Sequence, residues 1–348
     1  MHLGKVTLVC NTKNSFVIKD VKLLQEIGYK VLLIYSPAYR DPFRFLANRL
    51  KEFILSLFYL PQSVALFSWF NDYHTTLPLF IARIFKIPST LIIGGYDAVA
   101  NSSMNYGIFL KNNFRQALAK WNYKKTKSIW VVHKSLAEGC SFAEIDSETI
   151  SGIKVFIPEL RTPIIEAPTA YNSSFWKNEQ SKIPKTVLTV ANISDQRTIR
   201  RKGIPLFFKL AERLPNYKFT LAGIESPIFE PLPNNVILIG KKSKEELKAL
   251  YGSHMYYFQG SKIEGLPNVL CEAMLCECIP IGNRVFGIPD VIGATGLVFD
   301  AGKGLDEVVS FLKSEQKDFA IKARKWVKNQ YSLKRRKEQF KKTLTQNN

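Results

Sequence analysis

Histidine is scarce in this chain, and the cysteines lack the spacing of a metal site. The 348 residues include four histidines and five cysteines, and no two cysteines form a C-x-x-C pair. Cys271, Cys276 and Cys278 are therefore interpreted as small buried apolar residues, and no metal site is predicted. No apolar run approaches the roughly 20 residues that cross a bilayer. The apolar run Val6–Cys10 is also too short for a signal peptide, so we expect a cytoplasmic protein.

Acidic residues are fewer than basic residues in this chain. There are 29 of them against 49 basic residues, which gives a formal net charge of +20. This excess implies an anionic partner: a nucleic acid, an acidic membrane surface or a phosphorylated substrate. The hydrophobic content of 46% with 22% charged residues indicates a globular protein, and the length suffices for two domains.

Two alternations of strands and helices follow one another along the chain. Residues 5–10 and 31–35 are predicted strands on either side of an amphipathic helix, and this βαβ spacing favours a parallel sheet. Residues 154–157 are predicted to be the last strand of the first series. A segment rich in Pro, Ser and Thr (158–185) precedes a second series, which starts near Thr186. The sequence thus predicts two doubly wound α/β domains, at 1–167 and 183–330.

Two glutamates eight positions apart mark the most informative stretch, Glu264-Gly-Leu-Pro-Asn-Val-Leu-Cys-Glu272. Pro267 suits the first turn of a helix, which we predict from about Asn268 to Cys278. Free N–H groups at a helix start attract phosphate, while carboxylates accept hydrogen bonds from sugar hydroxyls. Together these features indicate a nucleotide-sugar site.

The stretch resembles the E-x7-E motif of retaining GT-B glycosyltransferases of family 4. Glu272-Ala-Met and Gly287-Ile-Pro-Asp are similar to further family segments, and Arg201-Lys202-Gly203 resembles the family's basic phosphate-binding turn. The resemblance covers residues 185–300 strongly and the earlier part weakly. The first loop, Asn11–Ser15, lacks the glycine pair that many relatives carry, so no donor contact is assigned to it.

The resemblance implies two Rossmann-like domains that face each other across a cleft. The first would be the acceptor side and the second the donor side, with a last helix (332–348) packed back on the first. Arg201 and Lys202 would bind the diphosphate, Glu272 the ribose hydroxyls and Glu264 the hexose hydroxyls. The remaining donor contacts would come from Gly265, Leu266, Asn268 and Val269. No metal or other cofactor is expected, because members of this family need no D-x-D metal site and the sequence contains none. In this family the leaving phosphate takes the acceptor proton, which implies that no separate general base is required.

Three residues are candidates on the acceptor side. His74 and Asp97 each follow the end of a predicted strand, where parallel sheets bind ligands, and two glycines precede Tyr96 and Asp97. Asp97 joins Glu264 as a candidate catalytic residue that contacts the sugar or the acceptor. His74 and Tyr96 are assigned to the acceptor side.

An amphipathic helix is predicted over 43–58, with apolar residues on one face. The other face is polar and consists of Arg44, Asn48, Arg49, Lys51 and Glu52. One interpretation is a surface helix packed on its own domain; the other is a helix that dips into an anionic membrane or borders a lipid-linked acceptor. We expect an enzyme of polysaccharide or lipopolysaccharide synthesis at the inner face of the cell membrane. Its acceptor would be a glycan or a lipid-linked glycan.

Two rival functions remain at the level of the sequence. A nucleotide-sugar 2-epimerase shares the architecture, but it would be expected to offer more histidines and carboxylates. A non-enzymatic nucleic-acid-binding protein would explain the charge of +20. Against it, no RNP, KH or helix-turn-helix signature is present, and no nucleic-acid partner is predicted.

Overall fold

Two compact units make up the chain. The computed structural model describes residues 3–141, 148–224, 232–316 and 318–346. The first unit contains the described residues up to Gly139, then Thr149–Ala170, and finally the described residues from Leu333 onward. The second unit contains the described residues of the remaining segments, chiefly those of Tyr171–Ser332.

The first unit is built on a six-stranded parallel sheet in the order β2-β1-β3-β4-β6-β8. The strands of the whole unit are β1 (Gly4–Cys10), β2 (Tyr29–Tyr35), β3 (Ala65–Trp69), β4 (Ser89–Ile93), β5 (Val99–Asn101), β6 (Ser128–Val131), β7 (Thr149–Ser151) and β8 (Ile164–Glu166). The short strands β5 and β7 form a separate antiparallel pair. Its helices are α1 (Ser15–Glu26), α2 (Pro42–Tyr59), α3 (Tyr73–Ile84), α4 (Phe114–Lys125), α5 (Ser135–Glu138), α6 (Ile153–Phe156) and the last helix of the chain, α14 (Leu333–Thr345).

The second unit has the strand order of a Rossmann fold, β11-β10-β9-β12-β13-β14, and all neighbouring strands are parallel. Its strands are β9 (Ile183–Val190), β10 (Lys218–Ala222), β11 (Val236–Ile239), β12 (His254–Gln259), β13 (Ile279–Asn283) and β14 (Leu297–Phe299). Its helices are α7 (Gln196–Lys202), α8 (Ile204–Arg213), α9 (Lys244–Ser253), α10 (Asn268–Leu275), α11 (Ile288–Ile292), α12 (Leu305–Lys313) and α13 (Phe319–Gln330).

Local sequence signals explain where several elements begin. Asp41 caps α2 by accepting a hydrogen bond from the Arg44 N–H at 2.8 Å, and Pro42 fills the first helical position. Ser243 and Glu246 form a reciprocal capping box at the start of α9. β3 and β4 are buried along their whole length, as expected for strands covered on both faces.

Aromatic side chains fill the core of each unit. In the second unit Phe207 contacts Phe219 and Phe258 with ring centroids 5.2 and 5.7 Å apart. In the first unit Phe340 of α14 lies 5.2 Å from Phe67 and 5.1 Å from Trp130. Helix α14 is thus part of the first unit's core, although it is the last element of the chain.

Two element predictions need correction. Residues 154–157 do not form a strand: Ile153–Phe156 is the one-turn helix α6, and the last strand of the first sheet is β8. A four-residue apolar run does not distinguish a buried strand from a buried helical turn. Helix α10 ends at Leu275 rather than near Cys278, because Glu277 adopts a positive φ of 63° before β13 begins at Ile279.

None of the helices in the described part of the chain combines the length and the apolar character needed to cross a bilayer.

Candidate active site

In the second unit, the basic turn (201–203) touches the loop that follows β12 and carries Glu264. We call this loop (260–267) the acidic loop, and the contact is between the two backbones. Gly203 ends α7 in the left-handed conformation with φ 68°. A Cβ atom at Gly203 would lie 1.8 Å from the carbonyl oxygen of Gly260, which follows β12. The N–H of Lys262 also donates to the carbonyl of Arg201 at 2.8 Å. Because β9 and β12 are adjacent strands at the point where the strand order reverses, these contacts form at the usual ligand-binding edge of a Rossmann sheet.

Lys202 and Glu264 form an ion pair at this edge, and both side chains are largely shielded from solvent. The hydroxyl of Ser261 donates to the same Glu264 oxygen at 3.3 Å, and the Gln259 amide donates to Ser261 at 2.7 Å. Burial alone would raise the pKa of Glu264. The charges of Lys202 and Arg201, with hydrogen bonds from Lys202 and Ser261, outweigh burial and hold that pKa below its ordinary value of 4.5. Glu264 is therefore an ionised hydrogen-bond acceptor at neutral pH.

The start of α10 lies directly after Glu264. Gly265 and Leu266 are buried, and the Gly265 carbonyl accepts a hydrogen bond from the N–H of Gly287 at 3.2 Å. The Asn268 side-chain oxygen accepts a hydrogen bond from the Tyr171 hydroxyl at 2.8 Å, and Val269 is half-buried. These contacts hold the first turn of α10 next to the Lys202–Glu264 pair.

Glu272 lies one turn further along α10 and is buried, with 8% of its surface exposed. Burial raises the pKa of Tyr257 in β12 well above 10, and the carboxylates of Glu272 and Glu264 raise it further. Burial and Glu272 act in the same direction on the pKa of Tyr251. Both carboxylates of the motif thus act on the ionisation of Tyr257.

A separate cavity of about 190 Å³ lies in the first unit, next to the residues that follow β1, β2 and β3. His74, the second residue of α3, lines this cavity. Its Nε2 lies 2.8 Å from the Trp69 carbonyl oxygen, which can only accept, so Nε2 carries the proton. Burial lowers the pKa of His74 to about 4, and the ring is therefore neutral at pH 7. The lining residues are Asn11, Ser36, Ala38, Tyr39, Phe45, Arg49, Asp72, Tyr73, His74 and Arg115.

Arg115 connects this cavity to Tyr96. Its guanidinium pairs with Asp72 through two contacts of 2.8 and 2.5 Å, and it donates to the Tyr96 hydroxyl at 3.0 Å. Burial would raise the pKa of Asp72, but the hydrogen bonds and charge of Arg115 lower it below 3.8. His74 and Tyr96, predicted on the acceptor side, are thus brought to one polar cluster.

Asp97 is buried and its carboxylate is occupied by backbone donors. The N–H groups of Gly94, Gly95 and Asn71 donate to it at 3.2, 2.9 and 3.1 Å, and 1% of the residue is exposed. Burial raises its pKa to about 6, against the lowering effect of these hydrogen bonds. This geometry fixes the loop that carries Tyr96. The contact with the sugar or the acceptor predicted for Asp97 stays a prediction.

The structure therefore gathers the predicted donor residues into one cluster in the second unit. His74 lines the cavity of the first unit, and Tyr96 is joined to that lining by its hydrogen bond with Arg115. Sequence patterns did not single out Ser261 or Tyr257, which belong to no motif. Asp72 and Arg115 were missed as a pair, although Asp72 stands two residues before His74. A pairing across 43 positions leaves no local signal.

Comparison with known proteins agrees with this architecture. Residues 173–342 match the family model described as "Glycosyl transferases group 1". The chain is 26% identical over 281 residues to an alpha-galactosylglucosyldiacylglycerol synthase of Streptococcus pneumoniae, covering 74% of this chain and 70% of that protein. Among solved structures, a sucrose-phosphate synthase from Thermosynechococcus elongatus superposes with a TM-score of 0.73 at 12% identity, covering 99% of this chain and 98% of that one. Anabaena HepE in complex with UDP gives a TM-score of 0.64 at 11% identity, covering 98% and 100%.

Two Rossmann-like units, the second with a basic turn joined to an acidic loop, define a glycosyltransferase of GT-B fold. Over residues 173–342 the chain matches the glycosyl transferases of group 1. This match favours a transferase over the epimerase and the nucleic-acid-binding alternatives.

Proposed function

We propose that this enzyme moves a sugar from a nucleotide-diphosphate sugar to a sugar-bearing or lipid-linked acceptor, with retention of the anomeric configuration as in family 4. The contact of the basic turn with the acidic loop, made by Gly203 and Gly260 and by the Lys202–Glu264 pair, carries this proposal. It puts cations for a diphosphate beside a carboxylate for sugar hydroxyls.

The donor-site roles follow from chemistry. Negative charge builds on the leaving diphosphate, and preorganised cations and N–H donors stabilise it. Arg201 and Lys202 supply the cations, and the N–H groups of residues 265–269 at the start of α10 supply the dipoles. Glu264 accepts from hydroxyls of the transferred hexose, and Glu272 from the ribose. With these charges in place we expect transfer to proceed without an added metal ion.

The acceptor roles belong to the first unit. The cavity beside His74 has a neutral imidazole, the Asp72–Arg115 pair and apolar walls from Tyr39, Phe45 and Tyr73. Such a lining suits the head of a sugar-bearing acceptor, which needs hydrogen-bond partners and stacking surfaces. Asp97 acts here as a positioning residue for the loop of Tyr96.

A lipid acceptor at a membrane surface is the most specific form of the proposal. The Streptococcus pneumoniae relative is named as a synthase of a diacylglycerol glycolipid. The net charge of +20 favours an anionic membrane. We place the enzyme at the inner face of the cell membrane, in the synthesis of a cell-surface glycolipid, polysaccharide or lipopolysaccharide.

Thermal unfolding with a panel of nucleotide diphosphates and nucleotide sugars, without metal, tests the donor site. A ligand at a hundred times its dissociation constant adds about 2.7 kcal/mol of stability. We expect one base family to stabilise the wild type and to lose this effect in Glu272→Ala. Glu212→Ala, at an exposed glutamate of α8, is the matched control and should respond like the wild type. Absence of any nucleotide effect on the wild type would contradict the proposal.

A further inference from the structure

Helix α2 turns its apolar face to the solvent. Phe43, Leu50 and Phe58 are 83%, 59% and 67% exposed, in a unit whose other large apolar side chains are mostly buried. Further exposed apolar residues of the same helix are Leu46, Phe53, Ile54 and Leu57. We call these seven residues the outward face. A contiguous apolar surface of this size on a helix usually marks an interaction site.

The inward side of α2 is polar and buried. Asn48, Glu52 and Ser56 follow one another at intervals of four and are at most 7% exposed. The Asn48 amide donates to the Ser36 hydroxyl at 2.8 Å and to the Pro37 carbonyl at 2.9 Å.

Glu52 completes this buried network. It pairs with Arg49 at 2.6 Å and accepts a hydrogen bond from Ser36. Rotating the helix to bury its apolar residues would break this network, and buried polar groups left without their partners are destabilising. The orientation of the outward face is therefore fixed by polar contacts on the opposite side.

The charged residues of the segment that contains α2, α3 and α4 are mostly basic. Residues 42–127 contain eleven Lys and Arg but three acidic residues, Glu52, Asp72 and Asp97. Glu52 and Asp97 are each 1% exposed, and Asp72 is paired with Arg115. The exposed charges of this segment are thus positive, although the exposed Asp41 that caps α2 directly precedes it and Lys124 pairs with Glu159 outside it. Exposed basic residues on or next to helices α2, α3 and α4 are Arg44, Lys51, Arg83, Lys86, Lys111, Lys124 and Lys125.

We propose that the outward face of α2 inserts into the headgroup region of an anionic lipid bilayer, with the neighbouring basic residues bound to lipid phosphates. Apolar side chains together with exposed Lys and Arg are the pattern of an interfacial helix. A second copy of the chain is a poor occupant, because it would bring the same positive segment against its own. This inference deepens the proposed function and depends on it for the lipid nature of the acceptor.

The same helix borders the candidate acceptor cavity. Phe45 and Arg49 of α2 line that cavity, which also contains His74. A bilayer seated on the outward face would lie one helix thickness from the cavity lining, about 10 Å. The headgroup of an embedded lipid is therefore within reach of the cavity without the lipid leaving the membrane.

Vesicle flotation of the full chain tests this surface. Vesicles are made of phosphatidylglycerol and phosphatidylcholine in equal parts, or of phosphatidylcholine alone. We expect the wild type to float with the anionic vesicles at least tenfold more tightly than with the neutral ones. The combined variant Phe43→Ser, Leu50→Ser and Phe58→Ser should lose at least tenfold in binding to anionic vesicles.

A matched variant removes exposed apolar residues elsewhere. Ile183→Ser, Ile237→Ser and Ile321→Ser changes side chains of the second unit that are 52%, 53% and 66% exposed, and it should bind vesicles like the wild type. All proteins should keep the same circular dichroism and the same nucleotide-induced thermal shift. That readout separates a failure of the donor site from a failure of the lipid surface.

Three results would overturn the inference. One is undiminished binding of the α2 variant to anionic vesicles, and another is equal binding of the wild type to both kinds of vesicle. The third is a wild-type dimer that becomes monomeric in the α2 variant while vesicle binding stays unchanged, which would assign the outward face to a second copy.

Discussion

At the scale of single residues, Gly203 decides whether the donor site can form. Its positive φ and its contact with the Gly260 carbonyl leave no room for a Cβ atom. The basic turn and the acidic loop meet only because this position lacks a side chain. Resemblance to a family motif identified the residue, but its physical reason is visible only in the folded chain.

Gly203→Ala is expected to lower the free energy of unfolding of the second unit by about 2 to 4 kcal/mol, from overpacking and left-handed strain. It should also weaken nucleotide binding. Gly240→Ala is the control, because the nearest atom to a Cβ there lies 3.8 Å away. Urea denaturation and the nucleotide thermal shift measure both effects. Equal stability of the two variants would refute the assigned role of Gly203.

The candidate site residues differ in how far the sequence could define them. Glu264 and Lys202 were predicted separately, and the structure adds that they pair. Asp97 was placed correctly after a strand, yet burial and three backbone donors make it a support for a loop. Position after a strand follows from periodicity, whereas the number of donors around a carboxylate depends on segments far apart in sequence.

At the scale of elements, α14 is held to the first unit by a buried charge pair. Arg336 is 2% exposed; it contacts Asp20 at 3.1 and 2.6 Å and donates to the Ala167 carbonyl at 2.7 Å. Its guanidinium also lies 4.8 Å from the centre of the Trp130 ring. The last helix therefore supports the sheet of the first unit.

Arg336→Ala leaves the carboxylate of Asp20 buried without its main partner, and we expect a loss of about 3 to 5 kcal/mol. Native-state hydrogen exchange of amides in β1, β3 and β4 reports the loss for the first unit. Lys334→Ala, at an exposed position of the same helix, should change little. A loss below about 1 kcal/mol for Arg336→Ala would show that α14 contributes little to the sheet.

Helix α2 should make the stability of the first unit depend on pH. Burial raises the pKa of Glu52 from 4.5 to about 7, despite the opposing effects of Ser36 and Arg49. Between these values the folded chain keeps a proton that the unfolded chain releases, so stability falls as pH rises from 4.5 to 7. The fall amounts to at most about 3 kcal/mol.

Glu52→Gln cannot titrate, so the stability of the wild type relative to this variant should decrease between pH 5 and pH 7.5. Hydrogen exchange of the same sheet amides at both pH values measures the difference in stability between the two proteins. The raised pKa of Asp97 affects both proteins equally and therefore cancels in this difference. Glu338→Gln, an exposed glutamate of α14, is the control. A difference that stays constant with pH would mean that Glu52 is ionised throughout.

For the whole molecule, the structure shows where basic residues that contribute to the net charge of +20 lie. Part of it forms the basic turn of the second unit, and part is exposed on helix α2 and on or next to helices α3 and α4. The sequence left two interpretations of α2 open, because its apolar periodicity is the same for a face turned to the core and a face turned to a bilayer. The buried network of Asn48, Glu52 and Ser36 supports the second interpretation.

The sequence by itself determined the class of the molecule. Alternating strand and helix patterns predicted two α/β units, and the segment from Arg201 to Glu272 indicated a nucleotide-sugar transferase, because these signals lie within single elements or short loops. Tertiary structure alone decided which side chains meet: Lys202 with Glu264, Arg115 with Asp72, and Arg336 with Asp20. It also decided that α2 exposes its apolar side. Such outcomes depend on the competition between burying apolar area and pairing buried charges, and that competition is settled only when distant segments pack together.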